Sequence, residues 1–202
     1  MRVLPSGTEG LLLEMDSVHE VLGRYAALRE ADLPVVDLVP AGRTILVVAE
    51  RGVSLTDLAA AVRAVRPRDH VRDEAREVEV PVVYDGQDLE EAAGLLGLGA
   101  AELRRRHQDE RWTVAFCGFA PGFGYLTGER YAWDVPRRAT PRTRVPAGSV
   151  ALAGEFTGVY PRESPGGWQL LGRALVEAFD LHRDPPALLV PGARVRFVEA
   201  TV

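Results

Sequence analysis

The stretch WTVAFCGFAPGFGYLTG, Trp112–Gly128, decides the class of the fold. It opens as an apolar run rich in the aromatic and β-branched residues that suit a pleated strand. It breaks at Cys117-Gly118, passes Pro121 and two further glycines, and resumes at Tyr125-Leu126 with no helical periodicity. The same pattern recurs downstream in SVALAG (Ser149–Gly154), WQLLG (Trp168–Gly172) and RVRFVE (Arg194–Glu199). Short apolar runs separated by turn residues predict a β-barrel or sandwich. Nine of the 14 prolines lie at or beyond Pro121, which sets this region apart from the rest of the chain.

Upstream the grammar changes. TEGLLLEM (Thr8–Met15) predicts a strand, and Ser17 followed by Glu20 predicts a capping box opening a helix. Val18, Val21, Leu22, Tyr25 and Leu28 fall on one face of that helix. PVVDLVP (Pro34–Pro40) and RTILVVAE (Arg43–Glu50) predict two more strands. Ser54 and Asp57 open a second helix with Leu55, Leu58, Ala59 and Val62 inward, and a strand follows at Glu77–Tyr84. The order β-α-β-β-α-β is the split arrangement of a ferredoxin-like sandwich. The expected fold class is therefore α+β, with a ferredoxin-like α/β sandwich over residues 1–84 and a β-barrel over 85–202. The charged stretch Arg66–Glu77 reads as a solvated connection, because its signs alternate. Asp88–Leu98 and Ala100–His107 read as short helices at the start of the second part.

Composition removes several chemistries. All 24 cationic residues are arginine, so there is no lysine for a Walker A loop or a Schiff base. An anion must be held by arginine, backbone N–H groups or hydroxyls, and the planar guanidinium fork suits a carboxylate or phosphate. The net charge of −5 gives no general attraction for nucleic acid. The single Cys117 excludes an internal disulfide. No apolar run approaches the ~18 residues of a membrane span, and the N-terminus lacks a signal-peptide pattern, so no membrane association and a cytoplasmic location are expected.

Three segments carry candidate chemistry. In Cys117–Gly128 the glycine spacing is not G-x-G-x-x-G and no helix pattern follows, which argues against a dinucleotide site. The loop is either a tight turn between strands or a backbone nest for an anion, in which Gly118, Gly122 and Gly124 allow close approach and Phe119, Phe123 and Tyr125 line the wall. Arg137, Arg138, Arg142 and Arg144 fall within eight residues stiffened by Pro136, Pro141 and Pro146. Alternation in an extended segment puts Arg142 and Arg144 on one side as a clamp, and keeps Arg137 and Arg138 from sharing a face. A solvated basic face is the alternative. Ser164-Pro165-Gly166-Gly167 forms a tight loop before Trp168. Ser164 lacks the G-x-S-x-G elbow, which favours a turn-forming serine over a nucleophile. His19, His70, His107 and His182 are scattered without metal-ligand spacing, so no metal site is expected. His107 stands out because it precedes the strand leading into the glycine loop. Cys117 has no activating partner in sequence and reads as packing.

In this order, His107–Leu126, Pro136–Gly154 and Thr157–Arg173 resemble the KipI / 5-oxoprolinase B-subunit family, also called allophanate hydrolase subunit 1. The resemblance spans essentially the whole chain and is strongest from His107 to Asp180. It implies that the barrel is cyclophilin-like. It also implies an ATP-dependent conversion of 5-oxo-L-proline to L-glutamate, with ATP and magnesium used in a complex. The implied partners are a KipA-type protein and a LamB/YcsF-type protein, the other two components of that complex. Two alternatives follow from the same resemblance: a regulatory protein that inhibits a sensor histidine kinase, and a carboxyltransferase-like component. The chain departs from the family pattern at Phe156, where many members have Gln, and at Gly124, where many have Pro or Ala. The expected site comprises His107, Arg142 and Arg144 as catalytic residues. Gly118, Phe119, Gly122, Phe123, Gly124, Tyr125, Ser164 and Trp168 are expected to contact substrate.

Overall fold

The computed structural model describes residues 1–68 and 76–201, and the chain divides into two units at Ala75/Arg76. The Arg66–Glu77 connection and His70 fall largely or wholly outside the described residues. The first unit contains β1 (Arg2–Ser6), β2 (Gly10–Glu14), α1 (Val18–Glu30), β3 (Val35–Pro40), β4 (Thr44–Ala49) and α2 (Leu55–Ala64). Its antiparallel sheet has the order β1-β2-β4-β3. Ser17 accepts the Glu20 N–H at 3.2 Å, while the Glu20 carboxylate takes the N–H of Asp16, one residue outside the reciprocal partner of a strict capping box. Val21 and Leu28 of α1 and Leu58 and Val62 of α2 are buried against Leu13, Ile45 and Val47 of the sheet. Alternation along β4 does this: Ile45, Val47 and Ala49 are buried and the residues between them half-buried.

The second unit holds β5 (Glu77–Val83), α3 (Leu89–Leu95), α4 (Ala100–Asp109), β6 (Trp112–Cys117), β7 (Gly124–Thr127), β8 (Arg142–Val145), β9 (Ser149–Ala153), β10 (Phe156–Val159), β11 (Ser164–Gly166), β12 (Gln169–Ala174) and β13 (Arg194–Glu199). Seven strands close a barrel in the order β10-β7-β6-β13-β5-β12-β9. The fold class is thus the expected α+β sandwich followed by a barrel, with one strand reassigned. The Glu77–Tyr84 strand, expected to complete the first sheet, lies in the barrel. It runs parallel to β13 from Glu77↔Arg194 to Val82↔Glu199 and antiparallel to β12. The boundary therefore falls near residue 76 instead of residue 84. A strand with alternating valines fits either sheet, and only the available partners separate the two. The vacant place in the first sheet is taken by β1, a mostly exposed edge strand whose Pro5 tolerates no central position.

Two close contacts shape the barrel. Val83–Gly86 crosses β12 so tightly that a Cβ on Gly172 would stand 2.2 Å from the Val83 carbonyl oxygen. A Cβ on Gly86 would stand 2.3 Å from that of Leu170. Elsewhere, Glu110 (2% exposed) organises the turn after β7. Its Oε1 accepts the N–H groups of Arg111, Glu129 and Arg130, and its Oε2 accepts the Tyr131 N–H and the Trp133 indole, all between 2.7 and 3.0 Å. Burial pushes this carboxyl up, but the hydrogen bonds from Trp133, Arg130, Glu129 and Arg111 outweigh it and hold it below its ordinary range. Its stabilisation is therefore complete above the usual glutamate pKa of ~4.3 and is lost as pH falls through the lower folded value. The Glu110→Gln variant points an NH2 group at N–H donors. It should lose on the order of 3 kcal/mol in urea unfolding at neutral pH. A loss under about 0.5 kcal/mol, the range of ordinary surface changes, would contradict this role.

Candidate functional site on the outer barrel wall

Strand β9 is buried on both faces. Val150 and Leu152 point into the barrel core, while Ala151 and Ala153 belong to a second cluster with Phe123, Tyr160, Trp168 and Leu170. This second cluster lies outside the wall and is covered by the glycine loop. Ala120-Pro121-Gly122-Phe123 closes with a Phe123 N–H to Ala120 carbonyl bond of 3.0 Å and φ +83° at Gly122, the geometry of a type II turn. A side chain at Gly122 would also meet Phe179 at 2.6 Å. The Ala120 N–H bonds the Gly118 carbonyl at 2.8 Å, making Phe119 the centre of a γ-turn at φ +68°. That turn form is strained and costs a non-glycine residue about 1–3 kcal/mol. The sequence allowed both a tight turn and an anion-facing loop, and the structure shows how the turn is built.

The floor is an aromatic array. Phe123 meets Tyr125, Tyr160 and Trp168 edge-on at 5.0–5.4 Å, and Tyr125 stacks on Phe116 at 4.4 Å. Phe156, one of the two departures from the family pattern, meets Tyr125 edge-on at 5.8 Å and so supports the array. Burial raises the Tyr125 phenol above its ordinary pKa, with Arg137 opposing the shift. Burial and the neighbouring Tyr125 raise that of Tyr160, with Arg137 and Arg142 opposing. Arg137 thus acts on both phenols, and Arg142 on that of Tyr160 alone. Phe123, Tyr160 and Trp168 are buried, so what this wall presents outward is the exposed Phe119 ring with the half-buried Tyr125 and Phe156.

The expected Arg142/Arg144 clamp is not formed. Asp88, 2% exposed, accepts Arg142 Nη2 at 2.6 Å and Arg138 Nη1 at 2.9 Å on Oδ1, and the Leu170 N–H at 2.7 Å on Oδ2. This buried carboxylate draws Arg142 inward. Arg144 turns outward, 75% exposed, and pairs with Glu163 at 3.0 Å. Alternation assumes a regular ladder, whereas the β8–β11 pairing shifts register between Ser164 and Gly166. Arg137 is exposed and Arg138 half-buried, in keeping with the shared-face argument. The charge of Arg137, which the sequence pattern did not single out, opposes the upward shift of both phenols. Arg142 Nη1 and Arg138 Nε are buried without a hydrogen-bond partner among the described residues, as is Oε1 of Gln169, whose amide donates to the Pro136 carbonyl at 3.3 Å. Ser164 donates its hydroxyl to the Arg162 carbonyl at 3.2 Å, and Trp168 is 5% exposed within the array.

His107 lies apart from this wall, in the barrel core. It is 0% exposed, 4.4 Å from the Phe197 ring and 5.2 Å from Trp112. Thr157 donates to the Ala151 carbonyl at 3.0 Å, so it accepts from His107 Nε2 at 2.9 Å, and Nδ1 accepts the Tyr84 hydroxyl at 2.8 Å. Both nitrogens are taken by Tyr84 and Thr157 and the ring is wholly buried, so the expected catalytic role does not fit this position. Position before a strand gave no sign of this, because α4 turns the ring inward. Burial lowers its pKa to about 3, and burial raises that of Cys117 to about 11, its Sγ donating to the Leu189 carbonyl at 3.3 Å. Among the described residues no group of three His, Cys, Asp or Glu side chains suits a metal, and no helix is long and apolar enough to cross a membrane.

Because His107 folds neutral and charges on unfolding, its contribution is complete above the unfolded pKa of ~6.5 and drains as pH falls toward the folded value. In urea titrations the stability deficit of His107→Gln should be largest above pH ~6.5 and narrow by up to about 1.4 kcal/mol per pH unit below it. A deficit independent of pH between ~4 and ~7 would show that His107 is not held neutral.

The family model for the carboxyltransferase domain, subdomain C and D, matches residues 1–189. The B-subunit of the 5-oxoprolinase of Escherichia coli O157:H7 is 42% identical over 179 residues, covering 85% of this chain and 82% of that protein. The crystal structure of TTHA0988 superposes with a TM-score of 0.78 at 39% identity, covering 96% of this chain but 40% of that one. The K. lactis urea amidolyase shares the fold, with a TM-score of 0.76 at 18% identity over 98% of this chain and 15% of its own. With its model matched from residue 1 to 189 and a relative sharing 42% of residues, the chain belongs to the family of carboxyltransferase domains, subdomains C and D.

Proposed function

We propose that this chain is the B-subunit of an ATP-dependent 5-oxoprolinase, and that its outer barrel wall holds the carboxylate and ring of 5-oxo-L-proline. The observation that carries the reading is the packing of Phe123, Tyr125, Tyr160 and Trp168 under the glycine loop of Gly118, Gly122 and Gly124, with the arginine-rich segment tied alongside by the Arg138 N–H to Gly167 and the Gln169 amide to Pro136. The name of the 42%-identical relative supports the substrate. In this reading the protein acts with a KipA-type protein and a LamB/YcsF-type protein in the cytoplasm.

The chemistry explains a need for several proteins. An unstrained lactam resists opening because of amide resonance. ATP, with magnesium, would activate the amide oxygen by phosphorylation. One water could then add to the carbonyl carbon, and the ring C–N bond break with the nitrogen leaving as the amine. A second water would release phosphate from the resulting acyl phosphate. This chain's part is to bind and orient. Its glycine loop runs into strand β7 instead of a helix, so it lacks the aligned helix N-terminus that suits a triphosphate. We therefore assign the small carboxylate, and not the nucleotide phosphates, to this wall. Arg137 is the exposed cation that meets the carboxylate. Arg142, tied to Asp88, supports the field around the phenols.

The test is to co-express the three proteins and assay glutamate formation from 5-oxo-L-proline and ATP. The complex should be active, and this chain alone inactive. Arg137→Ala should lower kcat/KM about ten- to a hundredfold with unchanged melting, because a charge-assisted hydrogen bond is worth ~1.5–3 kcal/mol. Arg137→Lys should recover only part, since a point charge lacks the fork. Arg144→Ala should stay within about twofold of the parent, as an exposed pair contributes little. Equal losses in the Arg137 and Arg144 alanine variants would reject the assignment.

A further inference from the structure

Phe119, expected from the sequence to contact substrate, adds no polar group to the site, and its placement needs its own explanation. Phe119 is 58% exposed, so its ring is not held there by burial. Its backbone sits at φ +68°, the sole positive φ outside glycine among the described residues. Glycine adopts that conformation without strain. The loop therefore carries a strained residue whose side chain does not fill the core. The ring instead extends the aromatic array, edge-on to Phe123 at 5.4 Å and to Tyr160 at 6.2 Å. Tyr160 is also the phenol on which both Arg137 and Arg142 act. The hydrogen bonds of two consecutive turns thus fix the backbone that holds an exposed ring against Phe123 and Tyr160.

We propose that Phe119 is the specificity-determining wall of this site, a rigid apolar surface against which the methylenes of a small cyclic carboxylate pack while Arg137 holds its carboxylate. This rests on the reading of the chain as a 5-oxoprolinase component and adds the residue that selects for a compact ring. The strained turn has a purpose in this arrangement. A ring fixed before the ligand arrives loses little freedom on binding, and an open-chain ligand of the same charge covers it poorly.

The experiment uses the reconstituted three-protein complex with F119G and F119Y. F119G should fold with an unchanged or higher melting temperature, since glycine relieves the turn. It should still co-elute with the partner proteins. Its KM for 5-oxo-L-proline should rise about tenfold with kcat within about twofold, the pattern for apolar contact made equally in ground and transition states. F119Y should stay close to the parent. An unchanged KM in F119G overturns the inference and leaves the reading of the site standing. Loss of co-elution in F119G makes Phe119 an anchor for a partner protein and also overturns it. A parent complex that does not turn over 5-oxo-L-proline removes the reading, and the inference with it.

Discussion

A carboxylate buried at the start of α3 governs the arrangement of the site. Asp88 would be prohibitively expensive in the interior without its two guanidiniums and one backbone N–H. Those three bonds tie the proline-rich basic segment and β12 to one point. They also partition the arginines: Arg138 and Arg142 are drawn in, and Arg137 and Arg144 are left to solvent. Removing one partner from such a group costs more than the pair is worth against an apolar substitute, which makes the arrangement a determinant of position more than a source of stability.

The other buried polar groups behave differently. His107 is satisfied on both nitrogens, and Glu110 on both oxygens by five donors. Both knit segments distant in sequence into the barrel. On the outer wall, by contrast, Arg142 Nη1 and Gln169 Oε1 are buried without partners among the described residues, and Phe119 sits in a strained turn. Networks that are complete stabilise the fold, while unpaired groups and local strain persist where a protein has another use for them. The two kinds of polar site lie on opposite faces of the same strands, with Thr157 facing His107 and Ala151 and Ala153 backing the aromatic array.

Much of this was legible in the amino-acid sequence. The capping residues Ser17 and Ser54, the inward faces of α1 and α2 and the apolar runs of β6, β9, β12 and β13 all follow from local periodicity and side-chain chemistry. The type II turn is written in Ala120-Pro121-Gly122-Phe123, because proline presets one backbone angle and glycine alone accepts the next. The long motifs also carried the family resemblance.

What the sequence by itself determined is what depends on near neighbours: helix starts, the longer apolar strands and the absence of lysine chemistry. What only the tertiary structure decided is what depends on distant partners. Strand β5 joined the barrel because β13, more than a hundred residues away, offered it a parallel ladder. The clamp failed because Asp88, 54 residues before Arg142, claimed that guanidinium. His107 became a core residue because Tyr84, just after β5, and Thr157 in β10 met it from two sides. Alternation and periodicity say which way a side chain faces relative to its own element, but not what waits on that side, and for a charged or titratable group the partner settles the role.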